Sequence, residues 1–206
     1  MKKNIVILLI FIISCTGSMS ISAKKETTFQ NKTEVMEIPL KWKPTETNIA
    51  IDSVNLKILQ KYRFNIIPFN DCRQDTGIIG KNILRGSVRL VKTKTVVPDW
   101  CEKQIVSTLK NYGLTITEDS AHYTISACIH KFYVEEKKRY VGETELRIVV
   151  NTLEGQQKWA AILSAESENW GRTFSAENYY ECLSNSLLFI IESFLKNTQL
   201  GQAVQN

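Results

Sequence analysis

The 206-residue chain has little with which to do covalent chemistry. It holds two histidines, His122 and His130, and no Cys-x-x-Cys pair. A zinc-type cluster or a dithiol redox centre therefore has no ligand set to draw on, and no metal or cofactor is expected. Neither a Gly-x-Ser-x-Gly elbow nor a His-Glu-x-x-His helix occurs, which removes the usual routes to a serine nucleophile or a metalloprotease. Internal repeats and low-complexity tracts are absent too. Charge of one sign is scarce. The net charge is +5, and without Lys2 and Lys3 the balance is 24 basic against 21 acidic residues. That excess is scattered, so it forms no basic, aromatic-rich stripe and nucleic acid is not an expected partner. Past the first residues, no apolar run approaches the roughly 20 residues that cross a bilayer as a helix. Hydrophobic residues at 43% and charged residues at 23% are ordinary for a single folded domain with a core.

What is present at the start is an export leader. Lys2-Lys3 precede a short apolar run, Ile5 to Ile13, which ends in Ser14-Cys15. Ile12-Ile13-Ser14-Cys15 resembles the lipobox of bacterial lipoproteins: two aliphatic residues, a small residue, then cysteine. The resemblance implies a lipid on the Cys15 thiol, cleavage before Cys15 and acylation of the new amino terminus. Several acyl chains, at about 0.8 kcal/mol per buried methylene, hold a membrane better than one. The competing reading is an ordinary signal peptide with a chance cysteine. Thr16, where an aspartate would retain a lipoprotein at the inner membrane of many diderm bacteria, favours the outer membrane, facing the periplasm. The polar stretch that follows reads as a flexible tether. The expected plan is signal peptide 1–14, lipidated cysteine and tether 15–35, one domain 36–197, and a C-terminal tail 198–206.

Four cysteines then remain: Cys72, Cys101, Cys128 and Cys182. In an exported chain they allow three pairings into two disulfides. Some are equally explained as small buried hydrophobes.

Period-2 alternation from Met36 to Trp42 reads as a strand that Pro39 confines to an edge. Tyr62 to Phe69 reads as a strand ending in a polar break at Asn70-Asp71. The glycines at 77, 80 and 86 suggest a loop. Asp99 and Glu102 form a capping box for a helix with Cys101, Ile105, Leu109 and Tyr112 on one face, stopped at Gly113. A short strand, 114–117, follows. Segments 123–134, 144–153 and 158–167 suggest a three-strand antiparallel meander. Ser175 opens a last helix with a stripe of Tyr179, Leu183, Leu187, Ile190, Ile191 and Phe194. The expected fold is α+β and two-layered: a mainly antiparallel sheet of about five strands, with two amphipathic helices on one face.

These elements, in this order, resemble the YajG-like lipoproteins of the bacterial envelope. The likeness rests on Ile66-Pro-Phe-Asn-Asp-Cys-Arg73, Ile79-Gly80 and a helix with Trp100 near its start. It continues through Leu109-Lys-Asn-Tyr-Gly-Leu114, Trp170-Gly-Arg172 and Ser175-Ala-Glu-Asn-Tyr-Tyr180, and spans roughly residues 60–197. It implies a fold and an envelope location, and supplies no activity.

Candidate binding residues are few. Asp71 and Arg73 sit at a strand end, where binding groups gather, though a turn closed by Asp71 and an Arg73 ion pair explain them as well. Trp170 with Tyr180 would make an exposed aromatic patch suited to protein contacts, unless both are packed. Glu135 to Arg139 reads as a solvated hairpin end. Adjacent acids such as Glu135-Glu136 project to opposite faces of a strand, so no pocket is expected to hold two or more acids, or an acid with His122 or His130, within reach of one substrate atom. The expected function is a non-catalytic, membrane-anchored component of an envelope complex that binds an unidentified protein. The alternatives are a carrier or sensor of a small apolar ligand and, less favoured, a cell-wall hydrolase.

Overall fold

The computed structural model describes residues 34–46, 51, 54–84 and 87–206, which belong to one folded unit spanning 32–206. The leader, Cys15, the tether as far as residue 33 and Gly86 lie outside the described residues; Glu34 and Val35, expected in the tether, open β1 instead. In chain order the elements are β1 (Glu34–Glu37), α1 (Val54–Leu59), β2 (Arg63–Ile66), β3 (Asn70–Asp71), β4 (Ile78–Leu84) and β5 (Ser87–Lys92). Then come α2 (Val97–Asn111), β6 (Thr115–Ile116), β7 (Tyr123–Glu136), β8 (Tyr140–Thr152), β9 (Gln157–Asn169), α3 (Ala176–Lys196) and α4 (Thr198–Gln205).

The meander β7–β8–β9 forms as the alternation demands. Ile125, Ala127 and Ile129 on β7, and Leu146, Ile148 and Val150 on β8, are all buried, and the residues between them are more exposed. The register of β7 shifts between Ile129 and Lys131, and the new phase buries Phe132, Val134 and Glu136. His130 sits at that irregularity and is exposed.

On the other side of β7 the fold departs from expectation. β2, β3 and β4 lie end to end along it, all parallel to it. Beyond β2 lies β6, and beyond β4 lie β5 and then β1. The fold is α+β, but the sheet is mixed and has nine strands among the described residues, with four helices rather than two. Three readings are corrected. Most of the glycine-bearing stretch is not a loop: Ile78–Leu84, with Gly80 in it, is β4 and pairs antiparallel with β5. Asn70-Asp71 is not a break, because it pairs with Cys128-Ile129 of β7. Pro68, which has no N–H to give, interrupts the ladder instead, while Ile67 and Cys72 donate to Ile125 and Ile129 on either side of it. Residues 198–206 are no tail: α4 occupies them, capped by the Asn197 side chain accepting from the Leu200 N–H at 2.9 Å, with Leu200 and Val204 buried.

α2 runs with Cys101, Ile105 and Leu109 buried, and Gly113 ends it at φ +82°. Its start is not capped by Asp99. Val96 holds the cap position without a side-chain bond, Pro98 lies in the first turn, and Glu102 accepts from the Phe69 N–H at 3.2 Å instead. α3 carries the expected stripe, every member of it buried. It lies close on β8, where a Cβ at Gly142 would stand 2.7 Å from the Cys182 Cβ. Beside that contact the Thr144 and Ser186 hydroxyls are hydrogen-bonded at 2.7 Å. Ser175 sits at the cap position of α3 but makes no side-chain cap bond.

Candidate functional site

Asp71, Cys72 and Arg73 follow directly from the pairing of β3 with β7. The Arg73 guanidinium donates to both carboxylate oxygens of Asp71, at 2.8 and 2.7 Å, and the Arg73 N–H donates to Asp71 Oδ1 at 3.2 Å. A further bond runs from Arg73 to the Thr76 carbonyl at 2.7 Å. Burial opposes ionisation of Asp71, but the hydrogen bonds and charge of Arg73 outweigh it and hold the carboxyl below its ordinary range. Both groups are spent on each other and on the turn, as the plainer reading had it. Between them Cys72 is disulfide-bonded to Cys128 on β7, with 5.8 Å between the Cα atoms. Cys101 and Cys182 are free and buried, and burial pushes the Cys182 thiol up to about 12. One disulfide forms where four cysteines allowed two.

The aromatic patch does not form. Trp170 is 71% exposed, whereas Tyr180 is 3% exposed and Tyr179 fully buried. The cause is a segment the sequence reading had ended at Trp42. Residues 38–46 continue across α3: the Lys43 N–H donates to Ser184 Oγ and the Thr45 N–H to Asn185 Oδ1, both at 2.9 Å. Lys41 places its ammonium 5.4 Å from the centre of the Tyr180 ring.

A polar cluster absent from the sequence reading gathers under the start of α3. Glu136, within the run read as solvated, is 2% exposed. It accepts from the Tyr179 hydroxyl at 2.9 Å and from the Phe174 N–H at 2.8 Å. The Tyr140 hydroxyl accepts from the Ser175 N–H at 3.1 Å and donates to the Arg172 carbonyl at 2.5 Å. These bonds hold Phe174 at φ +58°, a left-handed conformation costly for an aromatic residue. Period-2 alternation from Val134 was the signal that could have found Glu136. The remainder of the run behaves as expected: Glu135 pairs with Lys137 and Lys81, whose hydrogen bonds lower its pKa.

Acids also gather on the outer face of the meander. Glu143, Glu145 and Glu166 line an open depression with Lys131 and Ser164. Glu143 stands opposite Glu166, Lys131 pairs with Glu143, and the Ser164 hydroxyl donates to Glu145 at 3.0 Å. Residues two apart on one strand share a face, which brings these acids together on an open surface rather than in a deep cleft. His122 is engaged through Nδ1 by the Arg63 N–H at 3.0 Å. Among the described residues no group of three or more His, Cys, Asp or Glu side chains could hold a metal ion. No described helix is long and apolar enough to cross a membrane. Between sheet and helices, the cavity lined by Phe69, Ile105, Ile125, Ile148, Ile190 and Phe194 measures only about 10 Å³.

No family model matches the chain, and no curated protein matches it. Among solved structures it resembles a Xanthomonas campestris protein described by the family model DUF330. The two are 9% identical, with 84% of this chain and 99% of the other covered, at a TM-score of 0.57. The two chains share a fold. Looser superpositions reach lipoprotein GNA1162 from Neisseria meningitidis (6% identity, 68% and 99% covered, TM-score 0.39). They also reach a minor lipoprotein from Acinetobacter baumannii (12% identity, 70% and 94% covered, TM-score 0.37). Scores that low carry no weight for either fold or function.

Within that shared fold, the residues singled out from sequence do not converge. Asp71 and Arg73 lock a turn, Tyr180 is covered, the cysteines are paired or buried, and Trp170 alone stays open to solvent among the proposed binding residues. Among the described residues, nothing covers the outer face of β8 and β9 around Glu143 and Ile162, and β9 pairs only with β8.

Proposed function

We propose that this chain is a lipoprotein of the bacterial envelope, tethered through Cys15, whose domain acts by binding protein rather than by catalysis. The observation that carries the proposal is Ile12-Ile13-Ser14-Cys15 at the end of a short basic-then-apolar leader. The YajG-like pattern across residues 60–197 supports it. Thr16 in place of an aspartate favours the outer membrane, with the domain in the periplasm. A carrier of a small apolar ligand fits less well, since a cavity of about 10 Å³ admits no such ligand unless α3 moves off the sheet. A cell-wall hydrolase would have to use Glu143, Glu145 and Glu166. Those acids lie on an open sheet face, and Glu143 and Glu145 are already engaged by Lys131 and Ser164, a poor setting for positioning one substrate atom between a donor and a base.

The anchor is tested by Cys15→Ser. The wild-type chain is expected to incorporate labelled palmitate and to sediment with membranes; the variant should do neither and should stay uncleaved or soluble. Recovery of the variant with membranes at the wild-type level, cleaved in the same way, would overturn the proposal. Its non-catalytic half would fall if the purified domain turned over peptidoglycan and lost that activity when Glu143, Glu145 and Glu166 were changed to glutamine.

A further inference from the structure

Sheet edges are ready-made pairing templates, and natural proteins shorten, charge, kink or cover them. Two of the three edges here are dealt with. β1 has four residues and is followed by Pro39; β6 has two. β9 is different. It runs for 13 residues, contains no proline, and among the described residues pairs only with β8. Its middle, Ala160-Ala161-Ile162-Leu163, is apolar, and Ile162 is 59% exposed. Two further large apolar side chains flank the strand: Leu153 in the turn before it, 57% exposed, and Trp170 just after it, 71% exposed.

Charge is also ordered along β9. Lys158 stands at its start, where the pairing with β8 shifts register, and Glu166 and Glu168 stand at its end, on the outer face with Ile162. A parallel partner of the same sequence would set lysine against lysine and glutamate against glutamate. An antiparallel partner does the reverse. With the two-fold axis near Leu163, Lys158 of each copy faces the glutamates of the other, and the two Ile162 side chains become diagonal neighbours. The same axis carries Trp170 toward the turn of the other copy, where Leu153 is exposed. The edge is therefore self-complementary in charge and in apolar surface, as an isologous interface requires. We infer that β9 is a homodimer interface, through which two copies of this chain join antiparallel into one continuous sheet.

The test is sedimentation equilibrium of the full chain in density-matched detergent, at tens of micromolar. The Cys15→Ser chain is run beside it, so that two anchors sharing a micelle are not counted as a dimer. Both are expected at twice the mass of one chain. Ile162→Lys places a charge at the centre of the edge on an exposed side chain; it should weaken association at least about tenfold while leaving the circular dichroism spectrum unchanged. Lys158→Glu should weaken it as well, and adding Glu166→Lys and Glu168→Lys should restore it. In amide exchange, residues 160–166 should be protected in the wild type and exchange faster in Ile162→Lys. The inference is overturned if the wild type sediments as a single chain, as it would were β9 reserved for a different protein. It is equally overturned if the dimer disappears with Cys15→Ser, if Ile162→Lys leaves it intact, or if the wild-type edge amides exchange as freely as those of the variant.

Discussion

Removing the Cys72–Cys128 bridge should cost this domain a large share of its stability, and the size follows from topology. The bridge closes a loop of 56 residues, which holds the β4–β5 hairpin, α2 and β6. A cross-link acts chiefly by removing conformations from the unfolded chain, and for a loop of that length the chain-entropy relation gives about 4 kcal/mol at 25 °C. Against a typical total of about 5–15 kcal/mol, that is a substantial fraction. The native side adds to the case: β3 is two residues long, and without the bridge its hold on β7 is a pair of register positions and the Asp71–Arg73 turn. The experiment is urea unfolding of residues 32–206, oxidised, against the Cys72→Ala/Cys128→Ala double variant. The variant should lose about 2–4 kcal/mol, with a steeper denaturant dependence because its unfolded chain is more expanded. A thiol count gives an independent check: Cys101 and Cys182 are buried, so no thiol should react in the native protein and two should react once it is unfolded without reductant. A loss below about 1 kcal/mol, or four reactive thiols in the unfolded oxidised chain, would refute the reasoning.

Leu187 is fully buried in mid-stripe on α3, so Leu187→Ala should cost about 2–5 kcal/mol in chemical denaturation. At Gly80 an added Cβ would stand 2.7 Å from the Tyr179 ring and 2.8 Å from the Val134 carbonyl oxygen; since the backbone atom cannot give way, Gly80→Ala should cost about 1–3 kcal/mol and lower Tm. Asp71 has a depressed pKa in the folded state, so its contribution is complete above about pH 4 and is lost as pH falls through the folded value. Asp71→Asn should therefore lower stability at neutral pH and flatten the acid limb of the stability–pH curve, which equilibrium unfolding at several pH values measures.

The long elements were legible from sequence because each carries its own period over many residues. Thirteen or fourteen residues of alternation on each of β7, β8 and β9, and six turns of stripe on α3, outweigh a local irregularity such as the shift at His130. Among the short elements β2 and β6 were legible, but β3 and β4 were not: both owe their existence to lying along β7, and two residues in one and a glycine-bearing seven in the other hold too few clear periods to announce a strand. Glycines mislead there: Gly80 lies within a strand because the Tyr179 ring occupies the space a side chain would need. α4 was lost for a related reason, since eight residues with Leu200 and Val204 one turn apart make a helix only when another surface buries them.

The candidate site was misread by the same tertiary effect acting in the opposite direction. Helical periodicity assigns Tyr180, Ser184 and Asn185 to the flank of α3 away from the main stripe, and that assignment is sound for an isolated helix. The chain then supplies its own cover. Ser184 and Asn185 are fully or nearly buried polar residues, a costly state unless both are hydrogen-bonded. The backbone N–H groups of Lys43 and Thr45 satisfy them, and the crossing segment closes over Tyr180 in doing so. A serine and an asparagine side by side on a helix flank thus marked a docking strip for another part of the same chain. The open aromatic expected of that flank survives only at Trp170, 71% exposed, at the mouth of the one long edge left unpaired among the described residues.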